Sequence, residues 1–170
     1  LFLLNSPNNP GGSTYSPDEL TALADVLEGT DVMVLSDEIY ERLVYDGAEF
    51  KSFAAISEDA YNRTLTVNGF SKAFAMTGWR IGYTAGPIEA IRAMGRLQSH
   101  MTQNAVAFVQ DAALAAITDS EGVVEKMLPD HAEKPLVAAK VDLPRFLLLR
   151  RIILHLHLVA AGTGAGGLDE

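Results

Sequence analysis

The sequence contains no cysteine among its 170 residues. Disulfides, zinc–thiolate sites and cysteine nucleophiles are therefore excluded. Basic residues are scarce as well: 13 Lys and Arg stand against 22 Asp and Glu, a formal net charge of −9. That balance repels a nucleic-acid backbone, so nucleic acid is not expected as a partner. Long apolar runs are also lacking. The longest, Phe146–Ala161, is interrupted by Arg150, Arg151, His155 and His157. It is too short and too charged to cross a bilayer, and no membrane partner is expected. The opening LFLLN has no basic leader before it and does not read as a signal peptide. A cytoplasmic location is the resulting expectation. The same opening looks like a strand already in progress, so the chain is expected to be a fragment.

What is present is ordinary for a globular protein: 48% apolar and 21% charged residues. The length suffices for one domain with a sizeable core. Composition shifts near Met127. Residues 1–127 hold 17 acidic and 8 basic residues, whereas residues 128–170 hold 5 of each and three of the four histidines. Met127 is taken as a provisional boundary.

Leu1–Leu4 is a short apolar run of the kind found in buried strands. Asn5–Tyr15 is dense in Asn, Pro, Gly and Ser and reads as a loop. Ser16, Pro17 and Glu19 form the signature of a helix start, a capping box with proline at the first helical position. Leu20, Leu23, Ala24 and Leu27 follow at helical spacing, and Gly29 ends the helix. Asp31–Leu35 is a second strand, closed by Ser36, Asp37 and Glu38. Asp46-Gly47 marks a turn, and Ser52–Ile56 a helical turn. Arg63–Val67 is a third strand and Arg80–Ala85 a fourth. Helices are expected from Pro87 to about Met101, over Ala105–Ile117, and over Glu121–Met127. Strand and helix alternate, so the expected fold is α/β, a mostly parallel sheet with helices on both faces, a three-layer α/β/α arrangement.

Ligands in such sheets bind beyond the strand C-termini. Asn9, Asp37 and Lys72 each follow or close a predicted strand. Alone, a loop lysine is usually solvated, an Asp usually caps a turn, and an arginine usually pairs at the surface. Together they suit an aldehyde cofactor that carries a ring nitrogen, a phenolic oxygen and a phosphate. Lys72 can condense with the aldehyde. Asp37 can keep the ring nitrogen protonated, which makes the ring an electron sink. Tyr40 and Asn9 can donate to the phenolic oxygen, and Ser71 and Arg80 to the phosphate.

Three blocks carry a family resemblance: NSPNNPGG, SDEIYERLVYDG and NGFSKAFAMTGWRIGY. In this order they resemble the fold-type I, class I/II aminotransferases that use pyridoxal 5′-phosphate (PLP), nearest to the bacterial aspartate-type enzymes. Gly11 stands where that family usually has threonine. The resemblance covers residues 1–127 and implies that they are the C-terminal half of a PLP-binding large domain. It implies Lys72 as the Schiff-base lysine and general acid/base. It places Asp37 on the pyridine nitrogen, Tyr40 and Asn9 on the phenolic oxygen, and Ser71 and Arg80 on the phosphate. It further implies a cis Asn9–Pro10 bond, amino-acid and 2-oxo-acid substrates, and a homodimer for the intact enzyme. The alternatives are a non-catalytic truncated remnant and a carbon–sulfur lyase on the same scaffold. Residues 128–170 match nothing expected of the small C-terminal domain and read as an atypical, non-native tail. His155 and His157 lack further ligands, so no metal site is expected.

Overall fold

The computed structural model of the chain describes residues 1–119 together with Gly122, Val124, Lys126 and Met127. The tail, and most of the helix expected over 121–127, lie outside the described residues. Four strands, β1 (Phe2–Asn5), β2 (Val34–Asp37), β3 (Thr64–Gly69) and β4 (Gly82–Ala85), form one sheet in the order β1-β2-β3-β4. The pairs β1·β2 and β2·β3 are parallel, and β3·β4 is antiparallel. Parallel neighbours need crossover connections. These are supplied by α1 (Pro17–Leu27) and by a segment ending in α2 (Glu58–Arg63). The sheet is thus mixed α/β, as expected, with one antiparallel edge.

Register sets the working end of the sheet. Asn5 lies opposite Asp37, and Asp37 opposite Val67. Three parallel strands therefore finish at one level, and β4 starts from the same end, with Gly69 opposite Gly82. Side chains are poorly tolerated at both glycines, least at Gly82. A Cβ on Gly82 would meet the Asn68 carbonyl oxygen at 2.9 Å, and one on Gly69 would lie 3.1 Å from both Ile39 Cδ1 and the Ile81 carbonyl oxygen.

The first core cluster joins Leu4, Leu20, Ala24, Leu27, Val34, Phe53 and Ala60. Helix α1 contributes Leu20, Ala24 and Leu27 to it, and its start carries a capping box. The Ser16 hydroxyl accepts from the Glu19 amide, and the Glu19 carboxylate accepts from the Ser16 amide at 2.8 Å. A second cluster, Phe70, Ile81, Val109 and Ala113, packs α4 (Ala107–Thr118) against both ends of the loop that carries Lys72. Helix α3 (Ile88–Met101) buries no residue fully, and its Leu97 is 62% exposed.

Several boundaries differ from expectation, three of them for identifiable reasons. Strand β2 runs to Asp37 rather than stopping at Leu35, because ladder pairing uses main-chain groups whatever the side chains. Helix α2 was not expected. Ser57 caps it by accepting from the Ala60 amide at 3.0 Å, but six residues are too few to show a helical period. Arg63 closes this helix instead of opening β3. Its buried guanidinium binds Asp59 through two 2.7 Å contacts and donates to the Thr30 and Val32 carbonyls. Finally, β4 begins at Gly82, not Arg80, because Arg80 is left-handed (φ 53°, ψ 49°). Strand residues do not adopt that conformation.

Candidate functional site

Three loops meet beyond the sheet's working end. The first, after β1, contains cis Ser6–Pro7 and cis Asn9–Pro10 bonds, the second as expected. It is closed by main-chain bonds from Asn8 N to Ser13 O and from Gly12 N to Asn8 O, both 2.8 Å. The Asn8 side-chain oxygen accepts from Gly11 N at 3.0 Å. It thereby occupies space that a side chain at position 11 would need, since a Cβ there would approach it to 2.8 Å.

The second loop follows β2. Asp37 Oδ1 accepts from Ile39 N at 3.2 Å, the Asx pattern that turns a chain sharply. The turn is continued by Glu41 N to Glu38 O and Leu43 N to Tyr40 O, and it carries Tyr40 back over the strand end. Underneath lies Glu38, only 3% exposed. Its Oε1 accepts from Ser36 Oγ and Ser52 Oγ, each at 2.9 Å, and from Phe53 N at 3.2 Å. Burial nevertheless pushes the Glu38 carboxyl above the usual carboxylate range, against the lowering effect of those bonds. Burial likewise raises Glu41, partly offset by Arg42 and a bond from Asn68. Tyr83 is pushed up to about 12 by burial first, then by the Glu41 and Glu38 carboxylates.

A carboxyl with a raised folded-state pKa binds more protons folded than unfolded. Its contribution to stability therefore falls as pH rises from about 4.5 through the folded value. Glu38→Gln keeps an acceptor for all three donors and removes the buried charge. Its stability relative to wild type is expected to climb with pH across that window in urea melts, and parallel profiles would contradict this.

The third loop connects β3 to β4 and holds Ser71 and Lys72. Phe70 and Ala73 on either side of that pair are 1% and 2% exposed. The loop is further fixed by Ala75 N to Lys72 O and Met76 N to Phe70 O. Two non-glycine residues in it, Ala75 and Arg80, both take φ 53°. Such positions cost of order 1–3 kcal/mol each and persist where surrounding structure imposes them, often at functional sites.

Asn9 Nδ2 donates to Tyr40 Oη at 3.1 Å. Lys72 Nζ stands 5.4 Å from the centroid of the Tyr40 ring, within cation–π range. Asp37 sits three residues before Tyr40 at the end of β2. These four sequence-derived candidates are brought to one place. Ser71 adjoins Lys72 in the chain. Arg80 lies at the far end of the loop, where its guanidinium donates to the Thr77 carbonyl at 3.0 Å and touches none of the other candidates among the described residues. Sequence reasoning missed Asn5 and Glu38, whose side chains hold the first and second loops. The signal for Asn5 was a polar residue closing an apolar strand.

A model of the aminotransferase class I and II family matches residues 1–134. The chain belongs to that family. It is 52% identical over 118 residues to an aspartate/prephenate aminotransferase of Cereibacter sphaeroides, covering 69% of this chain and 30% of that protein. It is similar in structure to the aspartate aminotransferase of Rhizobium meliloti (TM-score 0.74, 41% identity, 78% of this chain and 33% of that one). A Thermus thermophilus aspartate aminotransferase solved with maleate gives TM-score 0.71 at 44% identity, over 78% of this chain and 34% of that one. The chain thus spans about a third of the length of the relatives it matches. Among the described residues, no helix is long and apolar enough to cross a membrane.

Proposed function

We propose that this chain carries the cofactor-anchoring part of a PLP-dependent aminotransferase, which moves an amino group between an amino acid and a 2-oxo acid. The observation that carries the reading is the convergence of Asn9, Tyr40 and Lys72 beside the Asp37 strand end.

The donor set fits PLP. Tyr40 Oη accepts from Asn9 Nδ2, so its own hydrogen is available to a phenolic oxygen, and Asn9 keeps a second amide hydrogen for the same atom. Asp37 supplies a carboxylate for the ring nitrogen. Ser71 Oγ and the Arg80 guanidinium supply donors for the phosphate, and only one of five guanidinium N–H groups is engaged with Thr77. Bound there, PLP supplies an aldehyde that captures amino groups and a protonated ring that takes up electron density.

The chain's own groups do the remaining work. Lys72 Nζ would hold the cofactor and, as a free amine, would take the proton from the substrate Cα and give it back on the other side of the transfer. Asp37 keeps a proton on the atom it faces. Asn9 and Tyr40 fix the ring's orientation by gripping one oxygen from two sides.

Relatives named aspartate aminotransferases, one of them solved with the dicarboxylate maleate, support an acidic amino acid as substrate. The carbon–sulfur lyase reading gains no such support. The same likeness implies a cytoplasmic homodimer for the intact enzyme, and residues 1–127 as the C-terminal half of its large domain. The test is the half-reaction. The PLP-loaded chain is mixed with L-aspartate, and released 2-oxo acid is followed by a coupled assay. One equivalent per bound PLP is the expected yield, since no 2-oxo acid is present to take the amino group back from the cofactor; a yield indistinguishable from free PLP would overturn the proposal for this chain.

A further inference from the structure

We infer that Asn5 is a positioning residue that holds Asn9 against Tyr40. The inference rests on the cofactor reading only for its functional consequence. Asn5 ends β1 and lies in register with Asp37. Its Nδ2 donates to the Asp37 carbonyl at 3.3 Å. Its Oδ1 accepts from the Asn9 amide at 3.1 Å and from Asn8 Nδ2 at 3.0 Å. Asn9 in turn donates to Tyr40 Oη at 3.1 Å. Tyr40 returns to Asp37 through three residues of tight turn. The contacts close a ring: Asn5, Asn9, Tyr40, Asp37 and back to Asn5.

One carboxamide therefore couples two loops that are distant in sequence. The donor half is tied to the second strand, and the acceptor half to the proline-rich loop. A second tie runs parallel to it, Ser6 N to Asp37 O at 3.2 Å, but it uses main chain alone and does not reach Asn9. Of the side chains described in the first loop, only Asn5's bonds both the Asp37 strand end and the Asn9 amide. Without it, Asn9 N loses its acceptor, and the main-chain position from which the exposed Asn9 carboxamide reaches Tyr40 is no longer fixed from the β1 side.

The experiment reads Tyr40 directly and needs no ligand. The full chain is labelled with 13Cζ-tyrosine, and the Tyr40 resonance is assigned by its loss in Tyr40→Phe. Asn9→Ala is expected to displace that resonance, and Asn5→Ala to displace it in the same direction and to a similar extent. Asn5→Asp keeps the acceptor for Asn9 N but loses the donor to the Asp37 carbonyl, so it is expected to bring the resonance part of the way back toward wild type. PLP dissociation constants should follow the same order, weakened roughly threefold to tenfold in Asn5→Ala, the worth of one hydrogen bond. A Tyr40 resonance unmoved by Asn5→Ala would overturn the inference, as would one that Asn5→Asp fails to restore even in part. Should Asn5→Ala not fold, Asn5→Ser serves in its place, because its hydroxyl is too short to span the same partners. Failure of the wild-type chain to bind PLP would remove the cofactor reading and leave the positioning result intact.

Discussion

Lys72→Ala is expected to abolish covalent retention of PLP and to lower amino-group transfer by at least about 10³-fold, the loss of a positioned proton-transfer group compounded by loss of the nucleophile. The amine is held over the Tyr40 ring at 5.4 Å, and its main chain is pinned between buried Phe70 and Ala73. No neighbouring side chain substitutes for it: Ser71 and Tyr40 cannot form the linkage. Borohydride reduction followed by peptide mass spectrometry checks the first half of the expectation. Wild type should carry the label on the peptide containing Lys72, and the alanine variant should carry none. Lys72→Arg separates charge from chemistry, because it keeps the cation and cannot condense. Label on another lysine in wild type, or turnover preserved in either variant, would refute the assignment.

Phe53→Ala is expected to cost about 3–5 kcal/mol, the usual range for emptying a buried aromatic site. Phe53 is 1% exposed and packs in one cluster with Leu4, Leu20, Val34 and Ala60. Its amide also donates to Glu38, and alanine keeps that bond, so the loss isolates the ring. In a domain of this size the midpoint of thermal unfolding should drop by on the order of 10 °C. Leu97→Ala on α3 is the control, because its side chain is 62% exposed and little is lost. Equal melting points for the two variants would mean that the cluster around Phe53 is not the core. Cofactor affinity should fall with Phe53→Ala as well, since the ring backs the segment that supports Glu38 and the Tyr40 turn.

The parts of the fold that were legible in the sequence are those with local chemistry. The Ser16–Glu19 box, the proline-rich loop and the Asp46-Gly47 turn were read correctly because each is specified by a few adjacent side chains. Asp46 and Gly47 indeed both take positive φ. Strand direction was less legible. An apolar run reads the same in both directions, and only the short connection from Gly69 to Gly82, with no long helix in it, marked β4 as antiparallel. The proximity of Asn9, Tyr40 and Lys72 was legible because each lies in a loop that leaves the same end of the sheet. Arg80 was expected to open β4 and instead lies in the loop before it, as left-handed φ is rarely adopted outside Gly, Asn and Asp. Glu38 was hidden because a carboxylate beside another carboxylate looks like solvated surface. Its burial depends on Ser52 and Phe53, fourteen and fifteen residues away in sequence. Asn5 was hidden for the same reason, since one of its three side-chain bonds belongs to a strand thirty-two residues on.

The closed neck at Gly69 and Gly82 bears on how far the lysine can stray. From Gly69 to Lys72 is three residues, a span of at most about 10 Å even when fully extended. While the neck stays paired, the amine samples a small volume beside Tyr40 rather than a hemisphere of solvent. Its local concentration there is therefore high before any partner arrives. Much of the translational entropy of bringing amine and carbonyl together is then settled when the chain folds. Widening the neck by one methyl group at Gly82 would enlarge that volume without touching a single reacting atom.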